Sequence, residues 1–105
     1  MRETIRKLDI HGIIDRHTGG MRGSFEQNGQ LFTWKFCLPV QNGVIEARKM
    51  HSDYKPFDFI AIQQEIKQIL KSAGYFKYQL EWILDFESEA TCCITLKLTV
   101  LNVKR

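Results

Sequence analysis

Apolar and polar side chains alternate along most of this chain, and this period of two constrains the fold more than any other feature. Alternation over residues 8–14, 21–28, 32–40 and 44–51 predicts four β-strands. Asn28-Gly29 and Asn42-Gly43 are strong signals for hairpin turns between successive strands. Alternation returns over residues 76–86 and 92–100 and predicts two further strands. The pattern therefore predicts a mainly antiparallel sheet of six strands.

Between the fourth and fifth predicted strands the apolar spacing changes to that of a helix. The residues with this spacing are Phe59, Ile62, Ile66, Ile69, Leu70 and Ala73. Asp58 suits the N-cap position, and Gly74 suits the position that follows the helix C-terminus. We therefore expect one amphipathic helix that packs on one face of the sheet.

The elements together predict an α+β fold with the order ββββ-α-ββ. The 105 residues fit a single domain, 1–105, because this length is typical of one core and too short for two. Strand directions are compatible with the sheet order 4-3-2-1-5-6. A strongly twisted sheet or a half-barrel would satisfy the same pattern.

The register of each hairpin follows from the requirement that apolar residues share one face. A two-residue turn at Asn28-Gly29 sets Phe25 opposite Phe32, and one at Asn42-Gly43 sets Val40 opposite Ile45. In the last hairpin, a loop of three or five residues centred on Glu89 buries one coherent face. Its predicted pairs are Phe86 with Cys92, Leu84 with Ile94, Trp82 with Leu96 and Leu80 with Leu98.

One row across the predicted inner face contains two residues without side chains. On an assumed register for the first connection, this row reads Gly12, Gly23, Trp34 and His51. The indole of Trp34 would lie over the glycines and fill the space, or the glycines would allow a bend or close approach of the helix. The alternative is a ligand pocket with Trp34 as a wall and His51 as its polar group.

We find no convergent catalytic or metal-binding set of residues, and we expect no cofactor. His11 and Asp15 would lie about 13 Å apart on a strand, at roughly 3.3 Å per residue, which is too far for one ion. The consecutive residues 51–53 contain the side chains of a hydrolase triad, but neighbours in sequence cannot form that spatial relay. The absence of a convergent set of residues favours a protein without catalytic activity over an enzyme.

The cysteine content and the hydropathy indicate a cytoplasmic protein. Three cysteines form an odd set, and Cys92 and Cys93 are adjacent, so the sequence does not indicate a disulfide framework. No apolar run approaches the roughly 18 residues of a membrane span. We therefore expect a reducing environment and no membrane partner.

Two surface features suggest partners. The glycine-rich segment with Arg16, Gly19, Gly20 and Arg22 is a candidate for contact with phosphate or nucleic acid. Outward-facing Ile83, Leu101 and Val103 suggest an interface, because a long final strand at a sheet edge would need a cover.

Three functions follow from these features. The first is a binding or adaptor module that acts through protein–protein contact, as a homodimer formed through the last strand or the outer sheet face. The second is a weak nucleic-acid binder that uses the basic N-terminal half. The third is a small-molecule binder or enzyme with a pocket near Trp34 and His51.

Overall fold

The computed structural model describes residues 10–20, 23–48 and 53–101. Two helices and six strands occur in this part of the chain. They are helix α1 (Ile10–Thr18), strands β1 (Gly23–Asn28), β2 (Leu31–Gln41), β3 (Val44–Arg48) and β4 (Tyr54–Pro56), helix α2 (Phe59–Ser72), and strands β5 (Tyr78–Phe86) and β6 (Thr91–Val100).

The six strands form one open antiparallel sheet with the order β4-β3-β2-β6-β5, and β1 pairs with β2. The predicted α+β class with six antiparallel strands is therefore confirmed. The predicted neighbours within each hairpin are also confirmed, since β1 pairs with β2, β2 with β3, and β5 with β6. The sheet joins strands β1–β4 to the β5–β6 hairpin through β6, which pairs with β2 along Leu31–Pro39.

The core lies between one face of the sheet and the two helices. β2 and β6 provide its floor through their buried alternate residues, which are Phe32, Trp34, Phe36, Leu38, Cys92, Ile94, Leu96, Leu98 and Val100. The helices cover this floor with Ile10, Ile13, Ile14, Ile62, Ile66 and Leu70. These positions recur three and four residues apart, which places them on one stripe of each helix.

The prediction of a strand over residues 8–14 is wrong for its described part, because Ile10–Thr18 forms α1. Ile10, Ile13 and Ile14 have helical spacing and are buried, although Ile10 and Ile14 also fit a period of two. The helix ends in a Schellman motif: Gly19 has a φ of +71°, and the Gly20 N–H donates to the Asp15 carbonyl at 2.8 Å. The predicted sheet order 4-3-2-1-5-6 placed this segment inside the sheet as strand 1. That position is wrong, because the segment is a helix.

The one predicted helix is confirmed as α2, with both of its caps. The Asp58 carboxylate accepts a hydrogen bond from the Ala61 N–H at 2.9 Å. Gly74 follows the helix with a φ of +90°, and the Tyr75 N–H donates to the Leu70 carbonyl at 2.9 Å. This geometry is the Schellman motif that a glycine at this position favours.

The hairpin registers agree with the sequence in two cases out of three. All four predicted pairs of the β5–β6 hairpin are present, and Phe86 pairs with Cys92 across a five-residue connection. Val40 pairs with Ile45 as expected. The first hairpin is shifted, because the turn uses Gly29 and Gln30, so that Phe25 pairs with Trp34 and Gly23 with Phe36.

A disulfide joins Cys37 of β2 to Cys93 of β6 on the face of the sheet opposite the helices. The two residues are direct partners in the β2–β6 ladder. The sequence did not indicate this bond, because it depends on a strand pairing that joins residues 56 positions apart. Cys92 faces the core and carries a free thiol.

Within the described ranges, no helix is long and apolar enough to cross a membrane.

Candidate functional site

A cavity of about 210 Å³ lies between α1 and the β1–β2 hairpin. Its lining combines apolar walls with polar groups of both charge signs: His11, Ile14, Asp15, Gly20, Gly23, Ser24, Trp34, Lys35 and Phe36. His11 and Asp15 lie one helical turn apart, and their Nε2 and Oδ2 atoms are 3.8 Å from each other. The volume suits a ligand of about one aromatic ring, since a cavity of roughly 150 Å³ holds benzene.

Gly23 permits the close approach of β1 to β2 at this cavity. A Cβ atom at Gly23 would lie 2.7 Å from the Lys35 carbonyl oxygen and 3.0 Å from the Phe36 Cβ. A larger residue would therefore push β1 away from β2 or close the space.

Trp34 contributes an unusual group beside the cavity. Its side chain is buried, and its ring packs against that of Phe25 at a centroid distance of 5.0 Å. The Nε1–H has no hydrogen-bond partner among the described residues. Buried donors are normally paired, so the unpaired N–H of this cavity-lining residue is a candidate group for ligand contact.

The structure brings together two of the four residues predicted to form a ligand pocket. Gly23 and Trp34 both line the cavity. Gly12 lies in α1 and is not part of the lining, because the segment is a helix and not the expected strand. His51 lies outside the described residues. Ligand binding at this place stays a prediction.

The glycine-rich segment has a different environment from the one expected. Gly19 and Gly20 end α1, so they lie at the C-terminal end of a helix, where the partial charge is negative. The Arg16 guanidinium donates to Glu65 Oε1 at 3.0 Å and is therefore already paired with an acid. Arg22 lies outside the described residues. This arrangement does not favour phosphate binding.

The described residues contain no group of three or more His, Cys, Asp or Glu side chains that could hold a metal ion.

Strand β5 forms one end of the sheet and has an open edge of nine residues, Tyr78–Phe86, in the part of the chain that the structure describes. The first half of its inner face is covered, since Leu80 and Trp82 pack against the core. The second half is not covered, and Leu84 and Phe86 are 44% and 58% exposed. The open backbone edge therefore lies beside apolar side chains in contact with solvent.

Aromatic and hydrogen-bond contacts hold the middle of β5 in place. The rings of Phe57 and Phe59 meet the Trp82 indole edge to face, at centroid distances of 6.2 and 4.9 Å. The Trp82 Nε1–H donates to Gln63 Oε1 at 3.0 Å. This strand is thus fixed to α2, and a partner would meet a preformed edge.

The interface prediction needs one correction. The last strand, β6, cannot offer an edge, because it is paired on both sides, with β2 and with β5. Of the three residues predicted to form an interface, Ile83 is 38% exposed on β5 and Leu101 is 56% exposed just after β6. Val103 lies outside the described residues.

Leu84 and Phe86 were not identified as surface residues from the sequence. Their alternation with polar residues correctly places them on the inner face, opposite Ile94 and Cys92. Periodicity does not show where the cover provided by α2 stops. The only signal in the sequence is that the apolar alternation continues past Trp82 to Leu84 and Phe86.

Comparison with known proteins found no matching family model, no similar curated protein and no similar solved structure.

Proposed function

We propose that this chain is a protein-binding module and that its contact surface is the β5 edge, defined as the open backbone edge of Tyr78–Phe86 together with Leu84 and Phe86. The observation that carries the proposal is the exposure of both apolar side chains next to strand backbone that no other described strand pairs with. Long, open and apolar edges promote pairing with another chain.

The mode of contact that fits this surface is addition of a strand. An extended segment at the edge of a sheet gains a ladder of main-chain hydrogen bonds, and its alternate side chains reach the same face as the core. Here they would reach Leu84 and Phe86. We expect the contact to be made in the cytoplasm.

Site-specific photo-crosslinking in cells tests the proposal. A photoreactive residue at Ile83 or Phe86 should give a covalent protein adduct on irradiation. The matched control is the same residue at Gln64, which is exposed on α2 and is not part of the β5 edge. Absence of an adduct at both β5 positions, or equal adducts at Gln64, would contradict the proposal. The mass of the adduct also tells a second copy of the chain from a different protein.

A second candidate function, binding of a small aromatic or heteroaromatic molecule, is supported by the cavity beside Trp34. The unpaired Trp34 Nε1–H and the mixed polar lining favour a ring that accepts a hydrogen bond. Trp34 fluorescence in a Trp82→Phe background should change on addition of such a ligand from a metabolite panel. Gly23→Leu is the control that should remove the response, because a side chain at this position would displace β1 from β2 or close the space.

The nucleic-acid alternative remains an untested prediction with less support, given the pairing of Arg16 with Glu65. It would show itself as mobility-shift binding that weakens steeply with salt.

A further inference from the structure

We infer that the partner of the β5 edge is a second copy of this chain, with the two β5 strands paired antiparallel about a two-fold axis at Trp82. This inference rests on the proposed function, because it assigns the occupant of the surface proposed there. The result would be one continuous sheet across two copies. The grounds are the order of apolar and charged residues along β5 and its flanks.

Symmetry limits the registers that such a pair can adopt. A two-fold axis between antiparallel edge strands is perpendicular to the sheet, so one residue must lie opposite its own copy. Residues of the inner face then meet residues of the inner face in the other copy. The register is fixed entirely by which residue lies on the axis.

With Trp82 on the axis, every inner-face pair is apolar. Leu80 lies opposite Leu84 of the second copy, and Tyr78 lies opposite Phe86 of the second copy. Each pair occurs twice. The two side chains that are exposed in one copy, Leu84 and Phe86, are therefore covered by the partly buried Leu80 and Tyr78 of the other.

The outer face is complementary in the same register. Lys77, immediately before β5, lies opposite Glu87 of the second copy, immediately after β5, and this ion pair occurs twice. Gln79 lies opposite Asp85 of the second copy and can donate to its carboxylate. Glu81 lies opposite Ile83 of the second copy, so no acidic residue of the strand faces another acid.

The neighbouring registers place like charges opposite one another. An axis at Ile83 sets Glu81 against Asp85, and an axis at Leu84 sets Glu81 against Glu87. Directly opposed like charges destabilise a strand pair. An axis at Glu81 opposes that residue to itself.

An axis at Leu80 avoids charge conflict, but it pairs Phe86 with Gly74 beyond the end of β5 and leaves its ring uncovered. Only the Trp82 register uses the full length of the strand, covers both exposed apolar residues and forms two ion pairs.

Charge exchange between Lys77 and Glu87 tests the register in the purified chain. Lys77→Glu and Glu87→Lys each place two like-charged pairs in the dimer, and each should raise the dissociation constant about tenfold. The double variant restores opposite charges and should return the constant to near the wild-type value. The measurement is sedimentation velocity over a range of concentrations, with circular dichroism to show that each variant is folded.

Disulfide trapping gives an independent measurement. A mixture of Glu81→Cys and Ile83→Cys proteins should form a covalent heterodimer on mild oxidation, because these positions are opposite in the Trp82 register. A mixture of Glu81→Cys and Asp85→Cys is the matched control. These two positions lie opposite each other only if the two-fold axis passes through Ile83, so in that register this mixture would form the heterodimer preferentially. The native cysteines do not interfere, since Cys92 is buried and the other two are bonded to each other.

The outcomes separate this inference from the proposed function. A wild-type chain that stays monomeric at its highest soluble concentration overturns the dimer. A dimer without rescue by the double charge exchange, or with the control mixture trapped preferentially, overturns the Trp82 register. If the chain is monomeric and photo-crosslinks at Phe86 to a different protein, the dimer is wrong while the protein-binding function stands. If no adduct forms at β5 in cells, the proposed function itself fails.

Discussion

Glu65 is the residue that connects the two helices through polar contacts. Its two carboxylate oxygens reach different residues of α1: Oε1 accepts from the Arg16 guanidinium at 3.0 Å, and Oε2 lies 2.7 Å from His17 Nε2. The His17 side chain is only 21% exposed, which shields this contact from solvent more than the contact to Arg16. One carboxylate therefore fixes the position of α1 on α2.

We predict that Glu65→Ala lowers the free energy of unfolding by about 1 kcal/mol, because the ion pair with Arg16 and the hydrogen bond with His17 are lost together. Urea denaturation followed by circular dichroism measures this change. Gln64→Ala, at the exposed neighbouring position, should stay within about 0.5 kcal/mol of the wild type. Equal effects of the two substitutions would show that Glu65 has no role in joining the helices.

The thiol of Cys92 should make the stability of the fold depend on pH. Burial raises the pKa of the Cys92 thiol, and the nearby Asp85 carboxylate raises it further, while a backbone hydrogen bond acts in the opposite direction. The folded chain therefore holds this proton at a pH where the unfolded chain loses it. Stability should decline as the pH rises above the unfolded value of about 8.5, and it should be unaffected by this group below that value.

The measurement is urea denaturation at a series of alkaline pH values, with Cys92→Ala as the control. The variant should lose less stability than the wild type over the same interval. Parallel curves for the two proteins would contradict the assignment.

Individual residues differ in how well the sequence reveals their role. Asp58 and Gly74 were identified correctly, because a capping side chain and a left-handed glycine depend only on local geometry. Ile10 and Ile14 were assigned to a strand because they fit a period of two as well as that of a helix, and Gly12 lowers helix propensity. Over so few residues the two periods do not separate, and the packing of Ile13 into the core decides the outcome.

At the scale of elements, the disulfide between Cys37 and Cys93 joins the two central strands, β2 and β6. We predict that reduction destabilises the fold by up to about 4 kcal/mol, the chain-entropy value for a bond that closes a loop of this length. Urea denaturation with and without reductant measures the difference. The double variant Cys37→Ser/Cys93→Ser should be insensitive to reductant, and an equal response in that variant would refute the prediction.

The register of the β5–β6 hairpin was the feature that the sequence predicted best. The place of β6 within the sheet was the feature that it predicted least well. Two adjacent strands with clear alternation leave one register that buries a single face, so the pairs of Leu80, Trp82, Leu84 and Phe86 could be derived. Nothing local in β6 shows that its other edge pairs with β2, since that contact depends on the whole sheet. The Cys37–Cys93 bond was missed for the same reason.

The candidate sites also divide into features that follow from the local pattern and features that depend on the assembled sheet. The prediction that Gly23 lies directly opposite Trp34 is wrong, since Gly23 pairs with Phe36, but both residues line the cavity. The β5 edge depends on which strand ends the sheet and on how far α2 reaches, and neither follows from periodicity. Surface exposure at Leu84 and Phe86 is therefore a property of the assembled fold.

For the whole molecule, the inferred dimer makes stability depend on protein concentration. Pairing through β5 requires folded copies, so mass action raises the thermal midpoint as concentration increases. Lys77→Glu should show a weaker dependence than the wild type, because its dimer is weaker. Calorimetry over a wide concentration range measures this effect, and a midpoint independent of concentration in the wild type would exclude the dimer.

The central place of β6 also has a consequence for the order of events during protein synthesis. β2 leaves the ribosome long before its ladder partner, which lies about sixty residues further along the chain. Until residues 91–100 emerge, β2 and β5 each lack the neighbour that fills the space between them. The apolar residues of β2 that face the core therefore stay accessible to a chaperone until residues 91–100 have left the ribosome.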